Sequence, residues 1–456
     1  MDIVIIGGGA AGLAAAEGAV AAGAKRITLI ERGQLGGDCP NEACIPTKTL
    51  LASARLYNLV ARDGQRLGLK TGRLQADWAA ILRRKEAVVQ AITGGGRKYE
   101  AMLRGLGVEY VPGTARLVNA HTVQVGKRLI ETKAIVVATG AREHLPDIAG
   151  LQDIPWLTYR EVLKLKKLPK SALILGGGAV AVELATLLAS LDVPVTIIEQ
   201  AKHILSREDE ELATLIQAEL QRLGVAIHVG AQPLGLERTK NGITCTWQRG
   251  LRPRHKTEAS ICIVATGRVP NYEALDLESA GIKLDHQGLP LKVSAKLNLA
   301  KNIFVAGDAN LQPQFTATAH HAGWLAGWNA AHVGQAKKQQ SVDWSIVPRV
   351  IFSAPEFASV GYSTSAAIAA GHKITLKRAP FSVLARAITD GSSTGFAKLV
   401  LDQKNNLILG AHIFGPHAGE IIHEVTLAMR HGLTYTDLTT GLRAFPSYGE
   451  ILAFTE

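Results

Sequence analysis

At 456 residues, with 47% of them hydrophobic, the chain is longer than one core usually holds, so two to four domains are expected, each with ample apolar content. The formal net charge of +11 permits anionic partners, yet no block of Lys and Arg is long enough to form a nucleic-acid arm, and cofactor phosphates or an acidic protein partner suffice to account for it. The composition is that of a large α/β enzyme.

Asp2-Ile3-Val4-Ile5-Ile6 reads as a buried strand, Gly7-x-Gly9-x-x-Gly12 opens an alanine-rich helix, and Ile27 to Ile30 reads as a second strand that ends in Glu31. Strand, glycines, helix, strand and acid in that order predict a dinucleotide-binding βαβ unit. Gly7 permits the tight turn, Gly9 lets backbone N–H groups approach a pyrophosphate, Gly12 allows close helix–strand packing, and Glu31 accepts from ribose hydroxyls. The first 24 residues are apolar, but they lack a basic start and are cut by Gly7 to Gly9. Neither a signal peptide nor a membrane span is therefore expected, and the expected location is cytoplasmic.

Cys39 and Cys44 follow in the run Gly36-Gly37-Asp38-Cys39-Pro40-Asn41-Glu42-Ala43-Cys44-Ile45-Pro46-Thr47-Lys48. Two thiols one short loop apart, beside a nucleotide motif, read as a redox-active disulfide, catalytic rather than structural in a cytoplasmic protein. A helix predicted from Thr47 through Asn58 would bring its N-terminal dipole to Cys44 and favour a thiolate there.

A second βαβ unit follows. Ala172-Leu173-Ile174-Leu175 reads as a strand, Gly176-x-Gly178-x-x-Ala181 as a turn into a helix, and Val195 to Ile198 as a strand with Glu199 at its end. Two such units imply two nucleotides. Glu199 stands where an acid pairs with a ribose 2′-OH and repels a 2′-phosphate, which favours NADH, whereas Ala181, Lys202 and Arg207 lean towards NADPH. Cys245 and Cys262 lie in apolar, strand-like contexts and read as inert core thiols, which leaves one functional pair and no metal site.

These motifs resemble the pyridine nucleotide-disulfide oxidoreductases, a family that includes dihydrolipoamide dehydrogenase, glutathione reductase and mercuric reductase. The resemblance extends through Ala138-Thr139-Gly140, Ala265-Thr266-Gly267-Arg268, Ala306-Gly307-Asp308, Pro348 to Phe352, and Gly410 to Glu420. It implies an α/β fold with two Rossmann-like domains, one for FAD and one for NAD, and a C-terminal α+β dimerisation domain that makes a homodimer. The implied boundaries are an FAD-binding domain over 1–147, an inserted NAD(P)-binding domain over 148–270, a return segment over 271–340 and an interface domain over 341–456. Gly37, Thr139, Gly140 and Asp308 join Gly7, Gly9, Gly12 and Glu31 as implied FAD contacts, and Gly267 joins Gly176, Gly178, Ala181 and Glu199 at the NAD site.

The resemblance also implies a mechanism, in which NADH reduces the flavin, the flavin reduces the disulfide and the dithiol passes two electrons to an acceptor. Cys44 would be the thiol nearest the flavin and Cys39 the interchange thiol that meets substrate, while Lys48 and Glu183 would form an ion pair beside the flavin.

Two departures matter. The family's disulfide reductases carry a His-Pro with a glutamate five positions after the histidine, forming an acid–base dyad. Here the segment is Ala444-Phe445-Pro446-Ser447-Tyr448-Gly449-Glu450, so Glu450 keeps its place but Phe445 replaces the base. Tyr448, His320 or His321 are the candidates to replace it. The thiol loop also carries Asp38, where relatives commonly have threonine, and Glu42; both add negative charge that disfavours a thiolate unless they point to solvent. Three functions follow: a dihydrolipoamide dehydrogenase-like enzyme acting on a small or protein-bound dithiol or disulfide; an NAD(P)H-dependent metal-ion, quinone or electrophile reductase of the mercuric reductase-like branch; and a weakly catalytic redox-sensing flavoprotein.

Overall fold

The computed structural model describes residues 2–70, 72–310 and 313–455. The chain divides into two compact units, one from Met1–Pro46, Arg83–His144 and Arg268–Trp344, the other from Thr47–Leu82, Leu145–Gly267 and Ser345–Glu456.

The first unit is built on a six-stranded sheet in the order Asn298–Ala300, Ile303–Val305, Ala134–Val137, Asp2–Ile6, Arg26–Glu31, Glu109–Pro112. All neighbours are parallel except the first pair. Both faces are covered, which is why the strands read as unbroken apolar runs. Ile3, Ile5, Leu29 and Val136 face one core with the helix Ala10–Ala21, whereas Val4, Ile6, Ile30 and Val137 face another. That second core is closed by an antiparallel meander, Ala115–Asn119, Thr122–Val125 and Arg128–Glu131, through Leu117, Val123 and Ile130.

The helix Ala10–Ala21 packs against the helix Thr316–Ala331 almost backbone to backbone. A methyl added at Gly327 would lie 1.9 Å from the Ala15 carbonyl oxygen, and one at Gly323 2.1 Å from that of Ala11. The run of small residues is therefore a packing requirement and also brings the start of Thr316–Ala331 into the first nucleotide motif.

In the second unit a parallel sheet runs in the order Ala226–His228, Val195–Ile198, Ala172–Leu175, Ile261–Val264, Trp156–Leu157. Its first turn leads into the helix Ala179–Ala189, which is nearly all buried. An antiparallel three-stranded sheet, Gln232–Thr239, Gly242–Gln248 and His255–Ala259, packs on this layer, and Cys245 and Cys262 are buried between them. Burial pushes both thiols up to about 12, so they stay protonated and inert. The C-terminal part of this unit is a five-stranded antiparallel sheet in the order Arg349–Ile351, Glu356–Gly361, Ile408–Gly415, Phe396–Asp402, Ile374–Pro380. The helix Ala418–Arg430 lays Ile421, Ile422 and Val425 on it. No helix among the described residues is long and apolar enough to cross a membrane.

Candidate active site

In the first unit, Gly7 takes φ +110°, a conformation open to glycine, and a side chain there would meet the Ala138 carbonyl oxygen at 2.2 Å. Gly9 caps the helix Ala10–Ala21 without a side-chain hydrogen bond, so the first-turn N–H groups face outward. Its own backbone is ordinary, φ −80°, and an added Cβ would touch protein only at 3.7 Å. Nothing in the protein itself requires glycine there; what a side chain would fill is the cradle above the helix terminus. Glu31 is held beside it, accepting from Gly8 N–H and Gly33 N–H, each at 2.6 Å. The Thr139 hydroxyl oxygen is buried and makes no hydrogen bond among the described residues. Open N–H groups, a vacant Cβ position, an anchored carboxylate and an orphaned hydroxyl together fit a dinucleotide.

Gly37, at φ +67°, passes over Gly9 so closely that a Cβ would lie 2.7 Å from the Gly9 Cα, and Asp38–Asn41 then forms one helical turn. Asn41 Nδ2 closes that loop by donating to the carbonyls of Gly37 at 2.8 Å and Leu35 at 3.1 Å. Cys39 and Cys44 are both half-buried. Cys44 is the first residue of a helix that runs Cys44–Asp63, three residues earlier and five later than the sequence suggests. Its Sγ lies 3.7 Å from Oγ1 of Thr316, the first residue of Thr316–Ala331. Two helix N-termini thus converge on this thiol and favour its ionised form, and the Thr316 hydroxyl stands within reach to donate to a thiolate. Thr316 had no sequence signal beyond following Phe315 at a helix start.

Asp308 lies in the turn Gly307–Asn310, which Tyr272 ties down by donating its hydroxyl to the Ala309 carbonyl. Burial pushes the Asp308 carboxyl up, Arg268 opposes that, and the charge of Asp38 adds to it. Arg268 itself donates to Asp38 Oδ2 at 2.7 Å and to the Ala141 carbonyl at 2.9 Å. Asp38 therefore faces a cation rather than open solvent. Of the histidines, His320 Nε2 is directed to Glu17 at 3.6 Å, with both side chains well exposed.

In the second unit, Gly176 at φ +100° and Gly178 repeat the first turn, and an added Cβ at Gly178 would find no atom within 4 Å. Glu199 accepts from Gly177 N–H at 2.5 Å and Ala201 N–H at 2.6 Å, the same grip that Glu31 has on its own loop. Ala181 is fully buried, and Gly267 takes positive φ with open space around it, as does Gly140 in the first unit.

Lys48 and Glu183 are brought together, Nζ to Oε2 at 2.7 Å. The other carboxylate oxygen, Oε1, accepts from Phe352 N–H at 3.1 Å, and the Lys48 ammonium stands 4.6 Å from the centre of the Phe352 ring. Glu183 is thus fixed at both oxygens and can hold the lysine in one position.

The C-terminal segment provides no ready base. Phe445 is 77% exposed and joined to Pro446 by a cis bond. Ser447 and Glu450 form a reciprocal cap, with Glu450 Oε2 accepting from Ser447 N–H at 2.8 Å. Tyr448 is buried, its ring against His417, and its hydroxyl donates to Asp390 at 2.9 Å. Burial, then the Asp390 contact, push that phenol up to about 12.

Residues 1–323 match the pyridine nucleotide-disulphide oxidoreductase family, and residues 347–454 match the dimerisation domain of that family. The chain is 34% identical to a dihydrolipoyl dehydrogenase of Geobacillus stearothermophilus over 99% of its own length and 94% of the relative's. It is 32% identical to a mercuric reductase of Lysinibacillus sphaericus over 98% of this chain and 81% of that one. Among solved structures, the HOCl-induced flavoprotein disulfide reductase RclA from Escherichia coli superposes with a TM-score of 0.86 at 28% identity, covering 99% of this chain and 98% of that one. A Cu(II) complex of the same RclA protein superposes with a TM-score of 0.85. The chain belongs to the class I pyridine nucleotide-disulfide oxidoreductases and is an FAD-dependent enzyme that works with NAD(P).

Proposed function

We propose that this enzyme oxidises NADH and delivers the electrons through a Cys39–Cys44 disulfide to an external disulfide, in the manner of a dihydrolipoamide dehydrogenase-like enzyme. The observation that carries the reading is the setting of Cys44, at the start of Cys44–Asp63 and 3.7 Å from the Thr316 hydroxyl, which stabilises a thiolate on one of two closely spaced cysteines. FAD bound in the first cradle supplies the two-electron relay between nicotinamide and disulfide. Gly7, Gly9, Gly12, Glu31, Gly37, Thr139, Gly140 and Asp308 would hold FAD. Gly176, Gly178, Ala181, Glu199 and Gly267 would hold NAD, with Glu199 selecting against a 2′-phosphate. Lys48, positioned by Glu183, would offset negative charge that develops beside it.

The residues' own chemistry is thiol–disulfide exchange. Cys39 as thiolate attacks a substrate sulfur, the substrate S–S bond breaks, and the departing thiolate takes a proton. Cys44 then attacks the Cys39 sulfur, a second substrate thiolate leaves and is protonated, and the Cys39–Cys44 bond re-forms. Glu450 and Tyr448 would act on these protons only from the frame in which the cap and Asp390 hold them. The dimerisation domain supports a homodimer, and the four segments bounded at 147, 270 and 340 are its proposed domains. A cytoplasmic location suits a disulfide that must cycle.

A second reading, reduction of a metal ion, quinone or other electrophile, is favoured by a specific observation. Phe445 offers no proton acceptor and Tyr448 is held protonated, so neither can serve as the base that exchange calls for, while electron delivery to a metal ion does not need one. The RclA neighbour with bound Cu(II) makes that ion the acceptor to try. Anaerobic titration with NADH, followed by mixing the reduced enzyme with lipoamide, Cu(II) or a quinone, separates the readings. Rapid flavin reoxidation by lipoamide supports the first, reoxidation by Cu(II) or quinone alone supports the second, and no fast reoxidation by any of them removes both.

A further inference from the structure

Asp38 immediately precedes Cys39 and opens the helical turn on which that thiol is carried. Its Oδ2 is 2.7 Å from Arg268 Nη2, and Arg268 Nη1 is 3.5 Å from Asp308 Oδ2, so one guanidinium is shared by two carboxylates. The side chains of Arg268, Asp38 and Asp308 are only 22%, 26% and 18% exposed, so water screens the trio weakly. The arginine is not free to follow either partner. Its backbone pairs with Glu143 in the short antiparallel ribbon of Arg268–Pro270 and Ala141–Glu143, and its Nη2 is also bonded to the Ala141 carbonyl at 2.9 Å.

We propose that Asp38 and Arg268 are positioning residues that together set how readily Cys39 is present as the attacking thiolate. The proposal rests on Cys39 being the interchange thiol. Alone, a carboxylate one residue away would suppress the thiolate; alone, the guanidinium would promote it. Paired, they nearly cancel, with the second carboxylate, Asp308, drawing the arginine partly away. Other charged or titratable groups near Cys39 are Glu42 in the same loop, Cys44 at its end, and Tyr99, whose hydroxyl is pushed up by burial and then by the Cys39 charge. Neither Glu42 nor Tyr99 changes when Asp38 is substituted, so the pair can be tested against a constant background.

The test is the alkylation rate of the NADH-reduced holoenzyme by iodoacetamide, a neutral reagent, at pH 7, with the modified cysteine identified by peptide mapping. Asp38→Asn should raise the Cys39 rate about three- to tenfold, because thiolate fraction scales tenfold per pKa unit, while Asp38→Glu, which keeps the charge, should stay within about twofold of the parent. Arg268→Gln should lower the rate, and the double variant Asp38→Asn/Arg268→Gln should return towards the parent. A loop merely loosened by losing its tether would react faster in every variant, including Arg268→Gln and Asp38→Glu, and that pattern overturns the proposal. Unchanged labelling in Asp38→Asn overturns it equally, and needs no arginine variant if Arg268→Gln fails to retain FAD. Labelling at Cys44 instead of Cys39 in the parent enzyme would count against the interchange assignment itself, a different failure from insensitivity to Asp38.

Discussion

Replacing Phe445 with histidine tests whether one missing proton acceptor decides which electron acceptors the enzyme serves. Phe445 is 77% exposed in the single chain, so its replacement should change folding stability by no more than about 0.5 kcal/mol. Ser447 and Glu450 cap the turn beyond it and are untouched. The resident alternative is Tyr448, whose hydroxyl is pushed up to about 12. At pH 8 such a phenol is ionised in roughly one molecule in 10⁴, whereas an imidazole with an ordinary pKa near 6.5 is almost wholly in its basic form. A positioned general base contributes about 10²–10⁴-fold. Phe445→His should therefore raise NADH-dependent lipoamide turnover by about 10²-fold or more, and leave turnover with Cu(II) or a quinone within about twofold of the parent. Steady-state rates at pH 8 with each acceptor, normalised to the anaerobic rate of flavin reduction by NADH, provide the readout. Lipoamide turnover that stays at the parent level while flavin reduction is intact would refute the reasoning, because the base would then not be what limits exchange.

Gly178→Ala should leave thermal stability unchanged or raise it by about 0.4–1 kcal/mol, since its backbone is ordinary and open space surrounds the new methyl, yet raise the KM for NADH; a loss of stability like that expected for Gly176→Ala, where a Cβ would lie 2.5 Å from the Ala265 carbonyl oxygen, would show that the protein and not the nucleotide demands the glycine. Lys48→Met should slow flavin reduction by NADH about 10²-fold in stopped-flow measurements, with Glu183→Gln milder because it keeps an acceptor for Phe352 N–H; equal, negligible effects would remove the pair from the mechanism. Glu199→Ala should shift the ratio of kcat/KM values towards NADPH, and an unchanged ratio would mean that the 2′ position is read elsewhere. Lys398 is buried in an ion pair with Asp209, so Lys398→Met should cost about 3–5 kcal/mol and Asp209→Asn/Lys398→Met should recover much of it in urea melts. Burial pushes the Asp209 carboxyl up, but the Lys398 hydrogen bond and nearby charges bring it below the usual range. Its contribution is then complete above the unfolded value near pH 4 and disappears as pH falls through the lower folded value, so a parent enzyme whose urea midpoint is flat from pH 6 to 3 would contradict the assignment.

Both glycine turns could be read from the sequence because everything that defines them is local: an apolar strand, the glycines, a helix and an acid within about thirty residues. Glu31 and Glu199 even make the same pair of backbone contacts in the two motifs. The meander from Ala115 to Glu131 was not legible, since four- and five-residue strands that bury alternate residues carry little periodic signal. The site's decisive contacts were hidden for a different reason. Thr316 reaches Cys44 across 272 positions and Arg268 reaches Asp38 across 230, and no spacing rule links residues that only the folded chain brings together. The loop charge at Asp38 could be flagged as unusual, but whether it faced solvent or a cation depended on where a strand ribbon 230 residues later would lie.

The choice of acceptor comes down to protons. Reducing one disulfide to two thiols with NADH consumes a proton from solution, and each exchange step needs its attacking thiol deprotonated first. Reducing two Cu(II) ions to Cu(I) with one NADH releases a proton and asks nothing of a local acid or base. On the proposed function, the electron route draws on the half-buried thiols, the two helix termini at Cys44, and the lysine fixed by Glu183. The departure lies in the Phe445 segment, where the side chain is apolar and the neighbouring phenol is committed to Asp390. On that reading disulfide exchange depends on thiol ionisation in solution and electron delivery to a metal ion does not. The enzyme's turnover with disulfides should therefore rise with pH as the attacking thiols ionise without help, while turnover with a one-electron metal acceptor should change little.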